Sequence, residues 1–180
     1  MKLFSALAIV CLLAFSCNSE PSLQKYFVEK SENKEFLALD LSPAMFNIDK
    51  SKLTADEAAA VETFKKINVL AFQVTDSTRD QYSAEKAKVD QILKDEKYQE
   101  LMHFGSGKDG ASVSFVGEDD NIDEFVLYAN KKENGFAVIR VLGEDMDPNS
   151  IMTMMSVLKN SKMDLEQLKP LQQMFSSQIK

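Results

Sequence analysis

The segment that most constrains the fold lies between residues 111 and 142, where three strand-like stretches follow one another with short connections. They span Ala111–Val116, Glu124–Asn130 and Phe136–Leu142 and are rich in β-branched and aromatic residues. The dipeptide Asn134-Gly135 before the last stretch favours the positive φ angles of a type I′ hairpin turn. Because parallel strands need long crossover connections, this run predicts an antiparallel meander.

Two more strands and two helices are predicted ahead of this meander. Phe36–Leu41 and Val69–Val74 read as buried strands, which gives about five strands in total. The sequence from Thr54 to Glu57 has the form of a capping box and predicts a helix from Thr54 to Lys66. The longest predicted helix covers Ser83–Phe104, and Gly105–Gly110 is then its C-cap and loop.

Apolar residues at helical spacing predict further helices at both ends of the domain. A short one begins at Leu23, and two follow the meander, one through Ile151 and Leu158 and one from Leu165 to Ile179. The sequence therefore predicts one α+β domain over residues 23–180. In it, an antiparallel sheet of about five strands, with a C-terminal three-stranded meander, is covered by helices.

The N-terminus has the pattern of an export signal. Met1-Lys2 is positively charged, and Leu3–Phe15 is an apolar run of about thirteen residues, shorter than the ~20 that span a bilayer. Ser16-Cys17 closes the run and resembles a bacterial lipobox. We expect residues 1–16 to be a signal peptide, Cys17 to carry lipid, and residues 17–22 to form a short tether. The alternative is an ordinary signal-peptidase site, also cut after Ser16.

Cysteine usage and charge limit what the exported protein can do. Cys11 leaves with the signal, so Cys17 alone remains and no internal disulfide can form. The formal net charge is −7, and only Arg79 and Arg140 of the 21 basic residues are arginines. Such a surface repels phosphate backbones, so we expect no nucleic-acid partner.

Sequence motifs that could carry chemistry are incomplete. Gly105–Gly110 matches G-x-G-x-x-G, but a predicted helix enters it and a strand leaves it, the reverse of a dinucleotide site. Asp119, Asn121 and Asp123 copy the first ligands of a calcium loop, without its glycine. The single histidine, His103, has no second histidine or nearby cysteine for a zinc site. We therefore expect no cofactor, no metal and no catalytic activity.

Four residues are candidates for ion pairing or for binding. Arg140 lies in an apolar strand and needs a partner such as Asp40, itself inside a predicted strand, or a place at the sheet margin. Six of the nine methionines lie between Met146 and Met174. Met152 and Met163 are those expected at the surface, where a methionine patch can adapt to a protein partner.

Several segments together resemble the DUF4252 family of Bacteroidetes lipoproteins. They are the N-terminal signal, FLALDLSPAMF at 36–46, FVLY at 125–128, Asn-Gly-Phe at 134–136, and VIRVLGEDMD at 138–147 leading into an apolar helix. The resemblance implies no known activity and no catalytic residues. Its members are often encoded beside extracytoplasmic sigma-factor systems, which implies a link to envelope sensing.

We therefore expect an exported cell-envelope protein that is anchored in the outer membrane by lipid on Cys17. The domain would face the periplasm or the outer surface. We expect a non-catalytic interaction or regulatory module with a protein partner. One alternative is a carrier of a small ligand or lipid, held in an apolar cavity between sheet and helices. The other is a weak metal-dependent enzyme that uses the acidic loops.

Overall fold

The computed structural model describes residues 20–46, 48–106, 109–119 and 121–160, which form one α+β domain. Its four helices are α1 (Leu23–Ser31), α2 (Ala55–Thr63), α3 (Arg79–Ile92) and α4 (Pro148–Asn160). The strands are β1 (Phe36–Leu41), β2 (Phe64–Gln73), β3 (Gln99–Ser106), β4 (Asp109–Glu118), β5 (Asn121–Lys131) and β6 (Gly135–Met146). Two short 3₁₀ turns, Pro43–Phe46 and Lys50–Lys52, follow β1.

All six strands form one antiparallel sheet in the order β1-β2-β6-β5-β4-β3. The predicted fold class is confirmed, with six strands in place of about five. The predicted meander is present as β4, β5 and β6, which pair through neighbouring hairpins. β2 inserts between β1 and β6, and β1 and β3 are the edge strands.

The sixth strand arises where the sequence predicted a helix over Ser83–Phe104. That prediction is wrong in its second half, because α3 ends at Ile92 and β3 begins at Gln99. Turns at Lys94–Tyr98 separate them, with the Tyr98 amide donating to the carbonyl of Asp95. Gln, Glu, Leu and Met favour a helix intrinsically, but pairing with β4 overrides that preference here.

Gly105–Gly110 accordingly connects β3 to β4 and does not cap a helix. Gly105 has φ +78° and lies opposite Gly110 in the strand register. A Cβ on Gly105 would lie 2.5 Å from the carbonyl oxygen of Asp109, so the strands could not close there with another residue. Gly105 therefore allows β3 and β4 to pair as a hairpin.

Local signals elsewhere were more reliable. Thr54 caps α2 with both bonds of a capping box, although α2 ends at Thr63 and not at Lys66. The hairpin at Asn134-Gly135 is present, but its turn type is not the predicted one. The Asn134 amide donates to the carbonyl of Lys131, and Gly135 alone has positive φ, +121°, so the connection is a three-residue loop.

Helices cover the sheet on both faces. We call the two sides face A, under α1 and α3, and face B, under α2 and α4. The face A core contains Leu23, Tyr26, Phe27, Leu70, Phe72, Val89, Tyr128, Phe136 and Val138. The face B core contains Phe46, Val61, Phe64, Ile67, Phe115, Phe125, Val141, Met146 and Met154. A polar side chain that is buried between the sheet and a helix therefore needs a hydrogen-bond or ion-pair partner there.

Candidate functional site

Arg140 is buried at the centre of the sheet on face A, only 4% exposed. Its Nε donates to Oε1 of Glu124 at 2.6 Å, and Nη2 donates to Oε2 of the same carboxylate at 2.9 Å. Nη1 donates to the side-chain oxygen of Gln24 on α1 at 2.7 Å. The guanidinium also lies over the ring of Phe27. Arg140 thus forms a forked ion pair with Glu124 within the sheet, and its contacts with Gln24 and Phe27 join α1 to that pair.

Asp40 is not the partner of Arg140, although the two lie in one row across the sheet. Asn68 of β2 stands between them, opposite Asp40 on one side and Arg140 on the other. The Asn68 amide donates to Asp40, and Lys66 pairs with Asp40 at 2.9 Å. The alternative of a sheet-margin arginine is also wrong, because β6 is an inner strand. Strands two positions apart are separated by about 9.6 Å, too far for an ion pair.

A second buried ionic cluster, centred on Glu85 of α3, joins α3 to α1. Its carboxylate accepts hydrogen bonds from the Tyr26 hydroxyl at 2.8 Å, Lys30 Nζ at 3.1 Å and Lys88 Nζ at 2.8 Å. Burial alone would raise the pKa of Glu85, but these donors outweigh it and hold the pKa below its ordinary value. Burial and the bond to Glu85 in turn raise the pKa of Tyr26.

This cluster makes stability depend on pH in a defined direction. Because the pKa of Glu85 is lower in the folded state, its contribution is present above the unfolded-state pKa of about 4.3 and is lost as pH falls through the folded value. We expect Glu85→Gln to lower the unfolding free energy by about 2 kcal/mol at pH 7, and by much less near pH 3. Urea unfolding followed by circular dichroism at both pH values measures this.

Glu29→Gln is the matched control, because Glu29 also pairs with Lys30 but is mostly exposed. Its effect should stay below about 0.5 kcal/mol at either pH. A Glu85→Gln effect of the same size at pH 3 and pH 7 would contradict the assignment of Glu85 as the titrating group.

An open cleft of about 520 Å³ lies beside this framework, between α1 and the strands β1, β2 and β6. Its lining includes Phe27, Val28, Asp40, Lys66, Asn68 and Arg140. The carrier hypothesis predicted an apolar cavity between sheet and helices. The cleft is in such a place, but apolar and charged groups share its lining, and both cations there already pair with carboxylates.

Three of the five exposed large apolar side chains among the described residues lie on the edge strand β3. Every residue from Gln99 to Gly105 is exposed, including Leu101 (39%), Met102 (46%) and Phe104 (58%). Met102 and Phe104 lie opposite Val113 and Ala111 of β4. Within the described part of the chain, β4 is the strand neighbour of β3, and its outer backbone edge has no strand beside it.

The two apolar rows of face B continue onto this edge. One row runs across all six strands through Leu39, Val69, Ile139, Leu127, Val113 and Met102. The next runs through Leu37, Ala71, Ala137, Ala129, Ala111 and Phe104. In place of a polar border, the sheet therefore ends at β3 with apolar side chains. This surface was not predicted, because the helix predicted over Ser83–Phe104 has Leu101 and Met102 on its inner face.

The other predicted site residues are scattered. Met152 is 63% exposed on α4, as expected. Cys17 and Met163 lie outside the described residues. His103 Nδ1 lies 3.3 Å from a carboxylate oxygen of Glu100 in an exposed pair on β3. In the ranges that the structure describes, no three histidine, cysteine or acidic side chains come together as ligands for a metal ion.

Within the same ranges, no helix has the length and apolar character needed to cross a bilayer.

Comparison with known proteins gives one family match. The family model described as "Domain of unknown function (DUF4252)" matches residues 26–154, more than two thirds of the chain. The matched range begins within α1, contains all six strands and ends within α4. No curated protein and no solved structure matched the chain.

Proposed function

This chain belongs to the DUF4252 family, a domain of unknown function, and from that premise we propose that it is a non-catalytic protein-binding module of the cell envelope. The binding surface is the β3 edge, by which we mean residues 99–105 with their outer backbone edge. A protein partner adds an extended strand to this edge, and its side chains contact Leu101, Met102 and Phe104.

The observation that supports this proposal is that residues 99–105 are all exposed and that, in the part of the chain that the structure describes, no strand pairs with the outer edge of β3. Edge strands are usually guarded by lysine, proline or a covering helix, because unpaired backbone groups attract other strands. β3 has the sequence QELMHFGS, with neither lysine nor proline, and three of its exposed side chains are large and apolar. The strand is regular over residues 102–104, between an irregularity at Glu100/Met102 and the positive φ of Gly105.

Export and lipid anchoring complete the proposal. They are supported by the apolar run Leu3–Phe15 and by Ser16-Cys17 directly after it. Anchoring on Cys17 would hold the domain at the membrane through the short segment before α1, with the outer membrane as its place. A tether of this kind raises the local concentration of any partner in the same membrane.

The proposal is tested by isolating the tagged full-length protein from its own envelope in mild detergent and identifying what accompanies it by mass spectrometry. We expect a protein at stoichiometric level that is reduced about tenfold or more by Phe104→Lys, because the partner would have to bury an unpaired charge. Met152→Lys is the matched control, since Met152 is equally exposed but lies on α4.

Two outcomes would contradict the proposal. One is a tagged protein that arrives with neither another protein nor an untagged copy of itself, and the other is a partner lost with Met152→Lys but retained with Phe104→Lys. The same spectra address the carrier alternative, for which the cleft beside α1 is the candidate site. Val28 lines this cleft. A small amphiphile that accompanies the protein, but not its Val28→Asp variant, would favour that alternative.

A further inference from the structure

We propose that the strand added to β3 is β3 of a second copy of this chain, so that the two sheets join edge to edge in a symmetric dimer. This inference rests on the proposed function and names the partner of the same surface. Its physical basis is that the β3 edge is complementary to itself in shape, polarity and charge.

A twofold axis perpendicular to the sheet pairs β3 with itself in antiparallel orientation. Such an axis leaves each face continuous from one copy to the next. The strand is regular over residues 102–104, between the irregularity at Glu100/Met102 and the positive φ of Gly105. With the axis at His103, Met102 of one copy lies opposite Phe104 of the other. Directly opposed apolar side chains of this kind stabilise antiparallel strand pairs.

The apolar rows on face B give this pairing a continuous surface. Both rows end at β3, one in Met102 and one in Phe104. In the dimer the row that ends in Met102 continues into the row of the second copy that ends in Phe104, so these two side chains gain apolar neighbours on both sides. In a single copy, Met102 and Phe104 stay exposed to water.

Charge on the β3 edge also permits self-association, although the chain carries a net charge of −7. Glu100 and His103 are the titratable groups on the strand itself, and they lie within 3.3 Å of each other. Charges that lie two strands from the axis in each copy are farther from their counterparts in the other copy than the screening length, which is about 8 Å at physiological ionic strength. Salt therefore weakens the repulsion between them.

The opposite edge of the sheet is less suited to such a contact. β1 has α1 packed along it, and Asp40 with its partner Lys66 places charge near its end. Both apolar ends of β1, Phe36 and Leu41, are buried. β3 is therefore the edge that offers exposed apolar side chains to a second copy.

The area of this contact shows why anchoring matters. An edge of eight residues is about 27 Å long and roughly 10 Å thick, or on the order of 300 Å² per copy. Stable interfaces bury about 800 Å² per partner. Two copies tethered to one membrane meet at a much higher effective concentration than in solution, and this favours the dimer in the envelope.

The test is covalent trapping in intact envelopes with two differently tagged full-length copies. His103→Cys lies at the twofold axis, and a short bis-thiol reagent should join the two tags through it. We expect at least about tenfold more trapped dimer than from Met152→Cys, an equally exposed site on α4, and than from the unmodified chain with Cys17. Adding Phe104→Lys to His103→Cys should reduce the trapped dimer about tenfold.

The outcomes separate this inference from the proposed function. Trapping no stronger at His103→Cys than at Met152→Cys, or unaffected by Phe104→Lys, would overturn the dimer. If His103→Cys then joins the chain to a different protein, the β3 edge is still a binding surface and only the identity of the partner is wrong. If it joins nothing, the dimer is wrong. The co-isolation experiment with Phe104→Lys then decides the proposed function, because a bis-thiol reagent cannot join a partner that has no cysteine at the contact.

Discussion

Replacing Glu124 by leucine is expected to lower the unfolding free energy by about 3–5 kcal/mol, because it leaves the Arg140 guanidinium buried without its carboxylate. Arg140 lies under α1 in the inner strand β6 and is only 4% exposed, at the border of the cleft beside α1. Gln24 would remain as its one side-chain acceptor on α1. Urea unfolding at pH 7, followed by circular dichroism, measures the loss.

The control for this effect is the double variant Glu124→Leu with Arg140→Met. Removing both charges removes the desolvation penalty together with the attraction, so the double variant should recover most of the stability lost by Glu124→Leu. If the two single effects simply add in the double variant, Arg140 and Glu124 do not stabilise the fold as a pair. The assignment of this buried ion pair would then be wrong.

Gly135→Ala is expected to destabilise the domain by about 4 kcal/mol, which is exceptional for the addition of one methyl group. Gly135 has φ +121°, a conformation that residues with a Cβ rarely adopt. A Cβ there would lie 1.8 Å from the backbone carbonyl oxygen of Phe72, on the adjacent strand β2. The clash cannot be relieved by a side-chain rotation, so β2 and β6 must separate. Thermal and urea unfolding measure the effect.

Asn134→Ala is the matched control, one residue earlier in the same loop. Asn134 has an ordinary φ, and its amide and carbonyl make main-chain hydrogen bonds that alanine would keep. Its cost should be below about 1 kcal/mol. A type I′ turn with Asn134 at positive φ would give a large cost at both positions, so a severe Asn134→Ala defect would contradict the turn described here.

Features set by neighbouring residues were predictable from the sequence. The Thr54 capping box involves residues three apart, and the three-stranded meander follows from short connections that leave few alternatives. The need of Arg140 for a buried acidic partner was also predictable, because a charge inside an apolar strand is costly without one.

Features that depend on strand order were not predictable in this way. Asp40 was chosen as a partner for Arg140 because both lie in strands, but β2 enters between β1 and β6 and places Asn68 between them. The sequence predicts Glu124 only as the first residue of a strand. Its side chain reaches Arg140 diagonally across two adjacent strands, a geometry that requires the register.

The β3 edge was missed for a related reason. Its residues are strong helix formers and follow a helix, so local preference extends α3 to Phe104. Only the pairing of Gln99–Ser106 with β4 makes them a strand. The misassignment also hid the surface, since Leu101 and Met102 were expected inside and are among the most exposed apolar residues described.

The central claim is that residues 99–105 are the binding surface, and amide hydrogen exchange on the complex isolated from the envelope tests it most directly. We expect the β3 amides that face outward to exchange much more slowly in the complex than in the Phe104→Lys protein isolated in the same way. β1, at the opposite edge, should exchange equally in both. Unchanged exchange in β3, with new protection along the cleft beside α1 or around Met152, would contradict the claim.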